Sequence, residues 1–210
     1  MKKIALFLVL FSFCAIGSAQ TENNPVKPFR SHEISFNIGD PAFIKIFTDY
    51  YYNNYYYNYG SWMRDDTYTG LYITTPTLTF TYLYRPLKWL WLGGCFAYTG
   101  EYRIEYDKFS EEKIGSNNAS LLSLAPYIRF SYLNKEKVNL YSGFGLAMTY
   151  EIKSSTVGRS RHWLSTEFTG QMTFFGVSFG KTVVGFAEVG FGYKGIINMG
   201  IGYRFDSKKK

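Results

Sequence analysis

Charged side chains recur at alternate positions in several segments of this chain, on the side opposite the large apolar residues. Unpaired charges in a narrow interior are costly, so acids and bases that face inward should pair and hydrogen-bond. We predict a network that blocks the interior, with an ion or proton path as the alternative. Its predicted members are Glu101, Arg103, Glu105, Arg129, Glu151, Glu188 and Arg204. The same inward set includes Glu33, Lys153, Glu167 and Lys194.

The two histidines, His32 and His162, are the candidate catalytic bases. His162 is close in sequence to Ser160 and Ser165, and the arginines beside it could attract phosphates. Nucleophilic catalysis requires a base within hydrogen-bond reach of the nucleophile and a third, orienting group. This spacing does not demonstrate such an arrangement. Glycine loops that cradle phosphate and metal-ligand clusters are also missing from the sequence, so we predict no enzyme, cofactor or metal site.

Seven tyrosines crowd the segment 49–59, with three asparagines between them. They are Tyr50, Tyr51, Tyr52, Tyr55, Tyr56, Tyr57 and Tyr59. Tyr and Asn side chains are typical of adaptable recognition surfaces. We therefore predict a recognition loop for a glycan or host-surface ligand, preceded by a short amphipathic helix over 41–47. The competing interpretation is an aromatic girdle at a membrane interface.

Alternation of apolar and polar residues with a period of two indicates strands that have one apolar face. It is clearest over 183–205, where Lys194-Gly195 can form a two-residue hairpin turn. The chain has eight such segments: 33–39, 72–84, 89–106, 120–132, 138–153, 163–179 and the two strands of the 183–205 hairpin. A change of phase near Phe175 predicts a bulge.

The links between the predicted strands alternate in length. Short links at 85–88, 134–137 and 180–182 alternate with long links at 40–69, 107–118 and 154–162. A membrane barrel with both termini in the periplasm has this alternation, and about ten tilted residues per strand span its apolar band of about 25 Å. In a soluble barrel the apolar face would point inward, but an eight-stranded interior is too narrow for so many large side chains. We predict an all-β fold, a closed antiparallel eight-stranded transmembrane β-barrel with its apolar face outward.

The first residues are typical of a secretory leader: Lys2 and Lys3, an apolar core over 4–16, and Gly17-Ser18-Ala19. We predict a signal peptide at 1–19, a periplasmic segment at 20–32, the barrel at 33–205 and a basic periplasmic tail at 206–210. Cleavage removes two lysines and no acid, so the formal net charge falls from +7 to +5. The remaining positive charge forms no stripe that would indicate nucleic-acid binding. One cysteine remains, Cys95, and we expect it to pack inside as a small apolar side chain.

The leader, the eight amphipathic strands and the ending Gly200-Ile201-Gly202-Tyr203-Arg204-Phe205 resemble the small outer-membrane barrels of the OmpA and OmpX type. The β-barrel-domain proteins of Bacteroidetes are similar as well. The resemblance implies insertion by the barrel assembly machinery, location in the cell outer membrane, and contact with outer-membrane lipids and lipopolysaccharide. This chain differs by having a basic tail after Phe205.

The predicted function is a structural or surface-interaction role, with an occluded lumen and recognition through the tyrosine-rich loop. One alternative is a carrier that passes small hydrophobic compounds by lateral opening. The other follows from the resemblance, because some eight-stranded barrels modify lipid A with a His and a Ser near the outer rim. His162 would be that histidine.

Overall fold

The computed structural model describes residues 30–40, 67–135, 137–157 and 161–206. The predicted leader, the helix over 41–47, the seven tyrosines and most of the basic tail lie outside these ranges. The described residues form strands β1 (His32–Gly39), β2 (Thr67–Thr74), β3 (Thr77–Leu87), β4 (Leu90–Asp107), β5 (Lys113–Asn134), β6 (Val138–Ser155), β7 (Arg161–Gly180), β8 (Val183–Gly192) and β9 (Ile197–Phe205). Within the same ranges no helix is long and apolar enough to cross a membrane.

Eight of these strands form a closed, antiparallel ring. Going round the ring, β1 is followed by β3, β4, β5, β6, β7, β8 and β9, and β9 pairs with β1 again. The ninth strand, β2, pairs with the far part of β4. The prediction of an all-β antiparallel fold with eight strands round the ring is confirmed.

The ring is staggered, which tilts its strands. Hydrogen-bonded neighbours of Glu33 run in one direction through Leu83, Gly93, Tyr127, Gly145 and Gln171 to Gly192. In the other direction Glu33 pairs with Arg204, whose N–H donates to the carbonyl of Thr182. The two routes therefore arrive ten residues apart on the same stretch of chain, at 192 and 182. Such a stagger corresponds to strands tilted by about 40° from the axis of the ring.

The predicted strand over 72–84 is two strands, which corrects the sequence interpretation. β2 ends at Thr74 and β3 begins at Thr77, on either side of Thr75-Pro76. Proline has no N–H to donate to a ladder, so it interrupts the strand. Thr75 still bonds to β4, since its N–H donates to the carbonyl of Gly100 at 2.9 Å and its Oγ1 accepts from Gly100 N at 2.8 Å. β2 and β3 therefore follow one another along the same neighbour, β4, with a break at Thr75-Pro76.

The short links lie close to their predicted positions, at 88–89, 135–137 and 181–182. A register shift between Thr173 and Phe175 confirms the predicted bulge. β5 begins at Lys113, earlier than the predicted 120, so the long link over 107–118 is wrong and only 108–112 remain outside the strands. The added residues of β5 are mostly polar and lack alternation, but they pair with β4 on one side and, from Asn117 onward, with β6 on the other.

The apolar face of the ring points outward, as predicted. Along β1, Ile34, Phe36 and Ile38 are 36–49% exposed, whereas Glu33, Ser35 and Asn37 are at most 2% exposed. The other strands of the ring show a similar alternation. The interior is therefore polar and crowded, as expected of a narrow ring of eight strands whose inside is filled by side chains.

The wall of the ring is much higher on one side. β8 pairs with β7 only up to Gln171 and Gly192, and the described part of β1 stops at Asp40. β7 continues from Gln171 back to Arg161, and β4, β5 and β6 continue beside it. Ten residues of strand extend about 30 Å. We call this part, formed by β2 and the far halves of β4 to β7, the projecting wall.

An apolar layer lies inside the ring among the polar side chains. Its members are Leu83, Trp91, Cys95, Ala97, Ala125, Tyr127, Ala147 and Tyr193. Cys95 is 1% exposed, which confirms its expected interior position. Glycines make room for the large rings: a Cβ on Gly145 would lie 2.5 Å from Tyr193 Oη and 3.0 Å from Tyr127 Cδ2.

We expect Gly145→Ala to destabilise the ring by about 1–3 kcal/mol, because its methyl group would overpack this layer. Gly185→Ala is the matched control, since a Cβ there meets nothing within 4 Å. Urea unfolding midpoints of the refolded protein measure both changes. Equal midpoints for the two variants would contradict the packing described here.

Candidate functional site

Glu33 lies at the centre of an ion-pair network inside the ring. Its Oε1 is 2.6 Å from Arg129 Nη1, and its Oε2 is 2.7 Å from Arg204 Nε. Arg204 reaches Glu33 because the two residues pair directly between β1 and β9, whereas Arg129 reaches it across the interior from β5. The side chains of Glu33 and Arg129 are each 1% exposed. Charge-assisted hydrogen bonds of this kind are the strong ones.

Glu188 forms the second half of the network. Its Oε2 lies 3.3 Å from Lys194 Nζ, its Oε1 accepts a 2.9 Å hydrogen bond from the hydroxyl of Tyr141, and Arg129 Nη2 is 3.7 Å away. Arg129 therefore bridges the two buried carboxylates. We call Glu33, Arg129, Glu188, Lys194 and Arg204 the central network. It links four strands and the turn between β8 and β9.

Aromatic rings surround these cations. The guanidinium carbon of Arg129 lies 4.2 Å from the ring centre of Tyr141, and Lys194 Nζ lies 3.9 Å from that of Tyr127. Trp91 lies beneath Arg204 at 5.6 Å. Attraction between a cation and the face of an aromatic ring is strengthened where water is excluded. The rings thus stabilise charges that have left water and fill the space between them.

The turn between β8 and β9 folds into the interior. Tyr193 and Lys194 are 2% and 0% exposed, and Lys194 N donates to Gln171 Oε1 at 2.8 Å. Gly192 and Gly195 flank them with φ of 141° and 93°, values that favour glycine. The alternation over 183–205 assigns Tyr193 to the outward apolar set of the strand before the predicted two-residue turn at Lys194-Gly195. That assignment is wrong, because the turn spans 193–196 and its glycines change the direction of the chain.

The predicted network separates into two groups. Arg129, Glu188 and Arg204 belong to the central network. Glu101 lies eight residues along β4 from Gly93, which is in the row of Glu33, so the two carboxylates are about 25 Å apart along the wall. On the projecting wall, Arg103 Nη2 lies 3.2 Å from Glu101 Oε2, and Asn117 Nδ2 donates to Glu105 Oε1 at 3.2 Å. The predicted members therefore pair within the central network and, separately, on the projecting wall.

Another ion pair lies on β6 of the projecting wall. Lys153 Nζ is 2.7 Å from Glu151 Oε2, which also accepts a 2.9 Å hydrogen bond from the hydroxyl of Ser165. Glu167, which the sequence placed inside, is exposed because β8 does not reach this height. The far ends of the strands thus have partly solvated charges.

Glu33 and Lys194 were predicted to face the interior from their positions in the alternation. The interior positions of Trp91, Tyr127 and Tyr141 were not predicted. Each of these rings lies between or beside apolar residues that face outward, so it resembled part of a continuous apolar run. A glycine at an inward-facing position of a neighbouring strand indicates space for such a ring. A Cβ on Gly176, for example, would overlap the ring of Tyr141.

The histidines are not placed beside the predicted nucleophiles. His162 and Ser165 are three positions apart on β7, so they face opposite sides of the strand, and His162 is exposed. Ser160 lies outside the described residues. His32 is at the other end of the ring, where its Nδ1 shares a 2.8 Å hydrogen bond with the hydroxyl of Tyr82. Across the ranges that the structure describes, no three His, Cys, Asp or Glu residues are grouped so that they could hold a metal ion.

We expect Arg129→Ala to destabilise the protein by about 3–5 kcal/mol, since it leaves Glu33 and Glu188 buried with fewer partners. Lys153→Ala removes a partly exposed cation and should cost no more than about 1 kcal/mol. Unfolding midpoints in urea compare the two variants. An Arg129→Ala midpoint equal to that of the wild type would rule out the central network as a stabilising element.

A comparison with known proteins finds no match: no protein-family model fits this chain, and no curated protein matches its sequence. The resemblance to small outer-membrane barrels stays a prediction from the residues quoted above.

Proposed function

We propose that this chain spans an outer membrane as a closed β-barrel with an occluded lumen, and that it acts through the parts that project from the membrane. In this proposal the role is structural or one of surface interaction, and catalysis is not involved. The observation that carries it is the combination of a filled interior with a projecting wall.

A continuous apolar band supports membrane insertion. Every strand of the ring contributes a large outward residue that is 43–66% exposed: Phe36, Phe80, Phe96, Leu124, Leu146, Phe174, Phe191 and Ile201. Leaving such side chains in water costs about 1.5–3 kcal/mol each relative to full burial. Patches of this extent are unusual on monomeric soluble proteins. Lipid chains would cover the band without a second protein.

Aromatic rings at one end of the ring support the same proposal. We call this end, where the short links at 88–89, 135–137 and 181–182 lie, the short-turn end. His32 stacks on Phe205 with ring centres 5.2 Å apart, and Phe205 stacks on Tyr203 at 6.1 Å. Trp89 stacks on Phe130 at 6.2 Å. Tyrosine and tryptophan concentrate at membrane–water interfaces, where one end of the ring is apolar and the other is wet. The resemblance to outer-membrane barrels makes this the periplasmic end.

The projecting wall then lies outside the cell. The chain leaves β1 at Asp40 and enters β2 at Thr67, and both β2 and the wall lie at this end of the ring. The tyrosine-rich segment belongs to that connection, although its residues lie outside the described ranges. A wall of hydrogen-bonded strands, with a tyrosine-rich segment in the connection that leads to β2, suits recognition of a glycan or host-surface ligand.

The two alternative functions lack a supporting observation. Lateral release of a hydrophobic compound requires a gap, whereas the described strands of the ring pair with both neighbours all the way round. Modification of lipid A requires a base beside its nucleophile, and His162 and Ser165 lie on opposite faces of β7. We therefore retain recognition as the proposed role.

We expect no steady, large conductance from the refolded protein in planar bilayers, because the central network and the inward turn fill the interior. Unheated samples should also migrate differently from boiled ones on gels, as folded outer-membrane barrels do. A large, stable open state would contradict the occluded lumen. Solubility without detergent after removal of residues 1–19 would contradict the membrane assignment.

Deleting residues 49–59 should preserve the fold and abolish surface binding, because that segment supplies the recognition side chains in this proposal. A screen against glycans and lipopolysaccharide measures binding, and release of acyl chains is monitored alongside. Removal of residues 207–210, which follow the last strand in sequence, is the matched control. Binding that survives the 49–59 deletion would refute recognition by the tyrosines, and turnover lost in His162→Ala would favour an enzyme.

A further inference from the structure

Four buried polar residues meet at the short-turn end of the interior with hydrogen-bonding atoms that have no partner. Trp91, Arg129, Ser131 and Asn139 are at most 6% exposed. The atoms without a partner are Trp91 Nε1, Arg129 Nε, Ser131 Oγ, and both Nδ2 and Oδ1 of Asn139. We call these residues the turn-end cluster. Buried polar atoms are nearly always bonded. Other side-chain atoms in the interior also have no partner, Asn37 Oδ1 and both side-chain atoms of Asn198 among them, but the atoms of the turn-end cluster lie on three adjacent strands beside Arg204.

The ladder places these residues side by side. Trp91 pairs directly with Arg129, and Ser131 follows Arg129 on the same face of β5. On the neighbouring strand, Asn139 lies on the inward face two residues before Tyr141, the partner of Ser131. Asn139 in turn pairs with Ser178, whose Oγ accepts a 2.9 Å hydrogen bond from Arg204 Nη2. The cluster therefore covers three adjacent strands, β4 to β6, and borders Ser178 of β7.

The hydrogen-bonding groups of the cluster favour a ligand that has several hydrogen-bond acceptors. The indole N–H of Trp91 and the Nε–H of Arg129 can only donate, and Ser131 and the Asn139 amide can donate as well. A buried donor that lacks an acceptor is costly. One acceptor with several oxygen atoms would satisfy these donors together.

The charge of the interior selects an anion. The central network has three cations, Arg129, Lys194 and Arg204, for the two carboxylates of Glu33 and Glu188. A negatively charged ligand would compensate this excess of positive charge.

Solvent reaches this end of the network at one residue, since the side chain of Arg204 is 12% exposed. Lys88, Lys135 and Lys137 are exposed on the short links at the same end. A group of positive charges raises the local concentration of anions.

We propose that the turn-end cluster binds a phosphate group, either as free phosphate or as the phosphomonoester end of a lipid. Phosphate has several oxygen atoms that can accept from the indole, amide and guanidinium groups at once, and its charge compensates the excess of cations. This site lies at the end of the ring opposite the projecting wall, and none of its residues belongs to the proposed recognition segment.

The test uses the refolded protein in a neutral detergent, with inorganic phosphate as the first probe. We expect a saturable downfield shift of the Trp91 indole N–H resonance, assigned by its absence from Trp91→Phe. Calorimetry should show an affinity about tenfold lower in Trp91→Phe and in Asn139→Leu, because each loses a hydrogen bond to a charged ligand. Trp89→Phe is the control, since Trp89 is 47% exposed in the adjacent turn and should keep the wild-type affinity.

A second arm replaces phosphate with a short-chain phosphatidate and uses sodium chloride at equal ionic strength as the blank. Saturable shifts with both probes support a site for the phosphate group itself, and a shift with phosphatidate alone supports the site with a lipid as its source. Urea midpoints of the variants check that each remains folded. The proposal is overturned if neither probe gives a saturable shift, or if Trp91→Phe binds phosphate as tightly as Trp89→Phe does.

Discussion

Arg129 holds a permanent positive charge in the middle of the ring, bridging two carboxylates that are themselves almost completely buried. Moving such an ion out of water costs several kcal/mol, which good geometry and complete hydrogen bonding must offset. The bridge therefore constrains the chain far from β5. Glu33 must lie at its position on β1 and Glu188 at its position on β8, while Arg204 must pair beside Glu33. The ion pairs of the Arg129 guanidinium group thus constrain the relative positions of β1, β5, β8 and β9.

The same constraint explains why the alternation along the strands is so regular. A shift of one residue in any strand would turn its whole inward set to the outside. In a membrane-spanning barrel, as proposed, that shift would move Glu33 or Glu188 into lipid and bring Phe36 or Val189 into the interior. Both consequences are unfavourable, so the apolar band and the central network specify the same register independently.

The sequence predicted what depends on local alternation: the outward faces, the bulge near Phe175, the short links and the inward phase of Glu33, Arg129 and Lys194. It did not predict features that depend on contacts between residues far apart in the sequence. The inward turn at Tyr193 depends on the space left by Gly145 on another strand. Local alternation also does not contain the height of a residue along the ring, such as that of Glu101 relative to Glu33, because this height follows from strand pairing and stagger. The break at Pro76 was readable from residue type, since proline lacks the donor that a strand interior needs.

In the proposed barrel, the filling of the interior would determine where the protein acts. Trp91, Tyr127, Tyr141 and the inward turn are buried inside the ring, and an occluded lumen would leave any activity to its two ends. These ends differ in chemistry. The projecting wall has carboxylates paired with bases on their own strands, Glu101 with Arg103 and Glu151 with Lys153, so its charges are largely compensated locally. At the short-turn end, Arg204 and Arg129 share one carboxylate, and neighbouring donors have no acceptor. Unpartnered donors beside the surplus positive charge give this end the stronger physical case for a small charged ligand.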